Sequence, residues 1–355
     1  MTAPNDNRRR SSTLGRLLQG VLFCALLAAC AGPATRPDLL LQWPAAPAAP
    51  QVAFVSTISD YKEAGISTGF WRRVADIVVG VSDQRIGRPY GVYHDERGRL
   101  FIVDMAFGQV HVMDVAAGSY TTIGHTGEAP LFKSPIGVTG DDSGNVYITD
   151  SAAGMVYRYN LRDAVLTPFI QTLQRPTGIA FSRRKRLLYV ADTLADRVAV
   201  FDLNGNPRFT VGSTGAQPGY LNHPTDIFVD AAGLLYVTDP LNYRVQVYSG
   251  EGQFLHGFGA PGDGEGEFLK PKGIAADRAG NVYVVDALTD SVKVFDASGR
   301  FRFAFGSNGE AAGSFWQPSG LYIDGEDRIY VADTYNRRVQ VFRRLHPADA
   351  LGKEK

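Results

Sequence analysis

Only two cysteines occur in the 355 residues, Cys24 and Cys30, and both lie within the first thirty. The rest of the chain therefore has no pair from which a disulfide or a Cys-based metal site could form. An excess of one charge is missing too, because 36 Lys and Arg face 36 Asp and Glu. Nucleic-acid binders carry a basic face that neutralises phosphates, so this balance argues against that class. Long apolar runs are scarce: LLQGVLFCALLAA, residues 17–29, falls short of the roughly 20 residues a helix needs to span a bilayer. The six His residues show no H-x-x-x-H spacing, and neither G-x-S-x-G nor a phosphate-binding loop is present. What the chain does have is 39 Gly and 19 Pro among many Val, Tyr and Phe, the composition of short strands joined by many turns.

The first thirty residues read as a targeting segment. Arg8, Arg9, Arg10 and Arg16 form a basic region ahead of the apolar run, which ends in Leu27-Ala28-Ala29-Cys30. This ending resembles a bacterial lipobox, and the resemblance implies cleavage before Cys30, acylation of that Cys and attachment to a bilayer. Ala31 following it implies outer-membrane sorting within a cell envelope. Multiple acyl chains anchor stably where one chain holds only marginally. Residues 31–50, AGPATRPDLLLQWPAAPAAP, are rich in Pro and Ala and read as a semi-extended tether. The expected organisation is a signal peptide over 1–29, a lipidated tether over 30–50, a folded domain over 51–345 and a short tail over 346–355.

The folded part repeats itself. Pro89, Pro135, Pro176, Pro224, Pro271 and Pro318 each open a similar phrase, spaced by 41 to 48 residues. That is the period of a propeller blade. An Asp ends an apolar run 15 or 16 residues after each Pro (Asp104, Asp150, Asp192, Asp239, Asp286 and Asp333), and a Val follows six residues later. In the fifth copy, PKGIAAD, NVYVVD, SVKVFD and FRFAFG alternate as strands and are separated by turns such as DRAGN and DASGR. A four-stranded sheet of this kind buries its faces only by stacking on its neighbours, so the expected fold is all-β, a six-bladed β-propeller.

The Pro-x-Gly-Ile opening, the Gly-Asn-Val-Tyr-Val middle and the Asn-Arg-Arg-Val-Gln-Val-Phe ending of these copies resemble the NHL repeat over about residues 86–343. The match is cleanest over 271–306 and 318–342, and Gln109, Met155 and Ser291 depart from the Arg expected at their positions. Copies one to five have a fourth strand, whereas the sixth runs only into RRLHPADALGKEK. QVAFVSTIS, residues 51–59, is the one unassigned strand-like run. It is expected to pair with the last blade and close the ring, removing an exposed edge. Ahead of blade 1, STGFWRRVADIVVG predicts a short helix over 68–80, with Phe70, Val74, Ile77 and Val78 on one face.

Groups present in all six copies read as structural. This covers the six Asp and the apolar residues three before each Pro (Ile86, Phe132, Leu173, Leu221, Phe268 and Phe315), and Arg197, Arg244 and Arg338, which recur at one position in three copies, read as interblade contacts. Function is sought in the departures. The residues preceding the prolines (Arg88, Ser134, Arg175, His223, Lys270 and Gln317) are polar and mostly basic, and are expected near one mouth of the central channel. Phe107, Tyr243 and Tyr335 lie in the connections between second and third strands, on the same face. An aromatic, mildly basic rim suits recognition of a protein, a peptide or an envelope polymer; exposed loop chemistry would supply the same residues.

A metal-dependent enzyme is the alternative. NHL-like lyases hold zinc through His from several blades, and lactonase-like propellers use a calcium site. Against those patterns this chain offers Asp226, which replaces the usual Gly of its repeat, and His223. No cofactor is expected under the first reading, and calcium or zinc under the second.

Overall fold

The structure, a computed structural model, describes residues 41–66, 85–126 and 129–345. Cys30, the targeting segment, the helix expected over 68–80 and the tail over 346–355 lie outside the described residues. Six antiparallel sheets of four or five strands, the blades, follow one another along the chain, and a two-stranded ribbon, His125–Thr126 with Ala129–Pro130, lies between blades 1 and 2 in sequence. Blade 1 consists of Pro89–His94, Arg99–Asp104, Gln109–Asp114 and Ser119–Ile123, paired in that order. The inner strands of blades 2 to 6 are Pro135–Gly140, Pro176–Ser182, Ile227–Val229, Pro271–Ala276 and Leu321–Ile323. Hydrophobic clusters lie between consecutive sheets, where Val, Ile and Tyr side chains of one blade meet those of the next.

The last blade closes as its sequence requires. Val52–Ile58 pairs antiparallel with Arg338–Arg344, setting Val52 against Arg344 and Ile58 against Val339. Val52, Ala53 and Ile58 are buried, so the strand contributes apolar area as well as ladder hydrogen bonds. The blade then extends further than the repeat predicts. Gln42–Trp43, inside the Pro/Ala-rich stretch, adds a fifth strand on Val52–Ala53. Trp43 packs on Phe305 and Phe342 at 5.9 and 5.8 Å between ring centroids. The folded unit therefore reaches back to Gln42, ahead of the boundary expected at Gln51, because one large aromatic side chain finds a cleft between blades 5 and 6. Tyr61, in the segment leading out of the closing strand, stacks on Tyr120 of blade 1 at 5.1 Å and fills the seam between blades 6 and 1.

The recurrent residues perform structural work. Each strand-end Asp is buried and accepts backbone N–H groups of the connection entering its blade, as Asp104 does from Gly87 and Arg88 at 2.6 and 3.0 Å. Arg244 and Arg338 pair with Asp239 and Asp333 at 2.8 and 2.7 Å and donate to carbonyls of the incoming connection. Blades 1 and 5, which lack this Arg, meet the same need from a position two residues further along the strand. There His111 Nε2 lies 3.0 Å from Asp104, and Lys293 Nζ lies 3.6 Å from Asp286. Burial pushes the Asp104 carboxyl up, but the hydrogen bonds from His111 and the Gly87 and Arg88 amides outweigh it and hold the group below its ordinary range. The six apolar residues three before the prolines are all buried between blades.

Candidate functional site: the connection face and the channel

Because every inner strand starts at or just after its repeat proline, the connections into the blades and the connections between second and third strands share one face. Arg88, Arg175 and Lys270 are exposed there, and His223 is half-buried. Phe107, in the connection of blade 1, is 44% exposed and lies over Gly87, where an added Cβ would come within 2.6 Å of its ring. Tyr243 is exposed and adopts a left-handed conformation, φ 55°, at the end of a one-turn helix, Pro240–Asn242. Tyr335 packs on Trp316 with the rings tilted by 33° and their centroids 5.7 Å apart, and the Arg88 guanidinium sits 5.4 Å from the Tyr335 ring centroid. This contact brings blades 6 and 1 together on the rim.

Several members of this face carry no individual sequence signal. Leu194, Leu241 and Leu288 each stand two residues after a strand-end Asp, the place Tyr335 takes in blade 6, and all three are exposed. Trp316 and Leu269 add exposed apolar area from the connections into blades 6 and 5. A comparison of the Asp-plus-two column across copies would have found the leucines, since a large apolar residue in a short exposed turn has no core to fill.

The channel has a different lining. A cavity of about 690 Å³ runs along the inner strands and opens among the turns between first and second strands, on the face opposite the prolines. Its walls include Tyr93, Phe181, Phe228 and Tyr322. Its mouth is ringed by charges of both signs, with Arg328 paired to Asp324 at 2.7 Å and Arg183 to Glu96. Of the expected ligand residues, only Asp226 lines this cavity; Arg88, Arg175, His223 and Lys270 remain on the connection face beyond its narrow end. That end is formed by the residues directly after the prolines, where the inner strands slip register against their partners. Tyr90 of blade 1 and Lys272 of blade 5 meet there, the ammonium 5.4 Å from the ring centroid.

Asp226 occupies a place where five blades have Gly. At Gly91, Gly137, Gly273 and Gly320 an added Cβ would fall 2.1 to 2.4 Å from a carbonyl oxygen of the next blade, so side chains are excluded by close backbone approach. At blade 4 the carboxylate stands in that gap. Its Oδ1 accepts the Ile227 N–H at 3.0 Å and its Oδ2 the Ile274 N–H of blade 5 at 3.4 Å. Burial pushes its pKa up to about 7, against the effect of those two amides. Lys272 is pushed down to about 8 by burial, with Lys270 and Arg88 adding to the shift. Tyr90 is raised to about 12 by burial and by the Asp226 charge, with Arg175 and Arg88 opposing.

His223 and Asp226 do not converge. The His223 imidazole faces Asn222 and Asp196 at 3.0 and 3.2 Å, whereas Asp226 faces the channel. Among the described residues no group of three or more His, Cys, Asp or Glu side chains is gathered as a metal would need. Asp226 thus lacks the further His, Cys or carboxylate donors that a zinc site takes from its protein.

Comparisons with known proteins agree with this architecture. The SMP-30/Gluconolactonase/LRE-like region model matches residues 136–265, and the NHL repeat model matches 315–342. Among curated proteins, none matches this chain. A virginiamycin B lyase from Staphylococcus aureus, solved with quinupristin, superposes with a TM-score of 0.55 at 15% identity, over 74% of this chain and 97% of its own. An auxiliary nutrient binding protein from Bacteroides thetaiotaomicron superposes with a TM-score of 0.59 at 15% identity, over 74% and 71%. A Bacteroides ovatus protein of the same description gives 0.58 at 14%, over 74% and 70%. At these identities the likeness is one of fold. With six copies in register and six blades in a closed ring, the chain folds as a six-bladed β-propeller, and its last blade carries the match to the NHL repeat.

Proposed function

We propose that this protein is a non-enzymatic binding propeller, held at a bilayer of the cell envelope through acylated Cys30, that presents its connection face to a protein or peptide partner. The observation that carries this reading is the ring of exposed apolar side chains on that face: Phe107, Leu194, Leu241, Leu288, Trp316 and Tyr335. Scattered exposed apolar residues need no explanation, but a gathered set rimmed by charge is a feature of interaction sites. Arg88, Arg175 and Lys270 among them favour a partner segment that is apolar with acidic flanks. The two nutrient-binding relatives by fold lend support, since the same scaffold carries binding there.

The test is site-specific photo-crosslinking in intact cells, with the probe placed at Leu241 or, as a control, at the exposed Val165 of a blade-2 outer strand. One partner crosslinked from Leu241 and not from Val165, and lost in the Tyr243→Ala, Tyr335→Ala double variant, supports the reading. Equal crosslinking from both positions overturns it. Cys30→Ala is expected to release the protein from the membrane fraction. Metal-dependent lyase or hydrolase chemistry would require donors beyond Asp226, and stoichiometric calcium or zinc in protein purified in metal-free buffer would favour that alternative.

A further inference from the structure

The channel has its own chemistry, separate from the connection face. Two opposite charges on neighbouring inner strands face one cavity and are not paired with each other. Lys272 makes a cation–π contact with Tyr90, and among the described residues no carboxylate stands within ion-pair distance of it. Asp226 Oδ2 has only the long bond from Ile274, two residues along the strand from Lys272. A carboxylate stands here where five blades have Gly, and it brings a partly desolvated charge to the channel wall. The Asp226 amide is satisfied by Thr238 Oγ1 at 2.9 Å, and the carboxylate accepts two backbone amides but no cationic side chain.

We infer that the channel binds a small zwitterion with an apolar body, a short peptide with free termini, whose ammonium meets Asp226 and whose carboxylate meets Lys272. A simple anion would be repelled by Asp226 and a simple cation by Lys272, whereas a ligand carrying both charges satisfies each. The cavity of about 690 Å³ lies within the span of roughly 300–1,000 Å³ usual for small-molecule sites. The aromatic walls at Tyr93, Phe181, Phe228 and Tyr322 suit apolar side chains, and the cavity opens among the turns between first and second strands. The raised Asp226 and lowered Lys272 pKa values are in keeping with two charges that lack counterions, and a bound zwitterion would move both back toward their ordinary ranges.

Calorimetric titration of the purified full chain with the tripeptide Phe-Gly-Phe tests this, using the free, N-acetylated and C-amidated forms. The free peptide is expected to bind at least tenfold more tightly than either blocked form. Lys272→Met should abolish the preference for a free carboxylate, and Asp226→Asn the preference for a free ammonium. Asp226→Gly, which restores the residue of the other five blades, should act as Asp226→Asn does while keeping the fold, as read from its melting curve. Binding of the blocked forms as tightly as the free one, preferences unchanged in the variants, or no heat from the free peptide at millimolar concentration would each overturn the proposal. The Tyr243→Ala, Tyr335→Ala variant should bind the tripeptide normally, so failure here leaves the connection-face reading separately tested.

Discussion

Blades 6 and 4 depart from the repeat in opposite ways. Blade 6 departs in connectivity: its inner three strands come from one end of the chain and its outer two from the other. The side chains it receives, Val52 and Ile58 among them, complete the apolar packing that every other blade makes within its own sequence. Blade 4 keeps the connectivity and departs in one side chain, Asp226, which stands where the ring elsewhere excludes any Cβ. A departure that restores packing serves closure, while one that places a partly desolvated charge in the channel serves something other than stability. This asymmetry is why Asp226 stands out while the six strand-end Asp residues, which are more deeply buried, do not.

Removing the closing strand should break the comparison most severely. Deleting residues 51–59 uncovers the edge of Arg338–Arg344 and the faces packed by Val52 and Ile58, and at about 2 kcal/mol per buried aliphatic side chain the melting temperature should fall by about 10 °C or more. An unchanged melting curve would refute closure as a source of stability. Gly320→Ala, also in blade 6, forces a methyl to 2.1 Å from the Tyr90 carbonyl oxygen. It should cost about 3 kcal/mol in chemical denaturation, because backbone on both sides must shift.

His111→Ala tests blade 1, which shares the seam with blade 6. It leaves buried Asp104 without its side-chain partner and should cost about 2 kcal/mol, with Gln in place of His recovering part of the loss.

A pH-dependent effect sharpens the blade-4 side. Asp226 has a folded-state pKa of about 7, raised above the ordinary carboxylate value of 3.8. Its protonated form is therefore favoured in the folded protein, and the destabilisation from its charge is absent below the ordinary range, grows as pH rises towards about 7 and then levels off. The stability difference between Asp226→Asn and the natural protein should accordingly be near zero at pH 4 and largest above pH 7, with Asn the more stable there. A difference independent of pH would place the carboxylate in a less enclosed setting.

Much of this was legible in residues. The Pro-to-Asp-to-Val spacing marked the blades, the incomplete sixth copy pointed to residues 51–59, and the six apolar residues before the prolines were recognisable as plugs because each recurs where two sheets meet. Asp226 stood out as a break in a column of Gly. Other features were hidden by the same repetition. Lys272 and Tyr90 sit in a column with no rule, occupied by Ile136, Thr177, Thr225 and Ser319 in the other copies, and neither residue marks its neighbour. Trp43 lies in a stretch whose Pro and Ala content reads as tether, and its packing on Phe305 and Phe342 depends on a cleft built from residues more than 250 positions away.

The sequence by itself determined the number of blades, their strand order, the residues that plug and cap them and the need for a strand from the other end of the chain. These are consequences of local periodicity and of an edge that must be covered. Only the tertiary structure decided which departures face one another. Closing the ring brings Trp316, Tyr335 and Arg88 together from opposite ends of the chain, sets Lys272 of blade 5 over Tyr90 of blade 1, and turns Asp226 into a channel. The physical reason is that a repeat specifies contacts with the next blade, whereas a site on the axis is made by blades that are not neighbours in sequence, and whose distances are set only when the circle is complete.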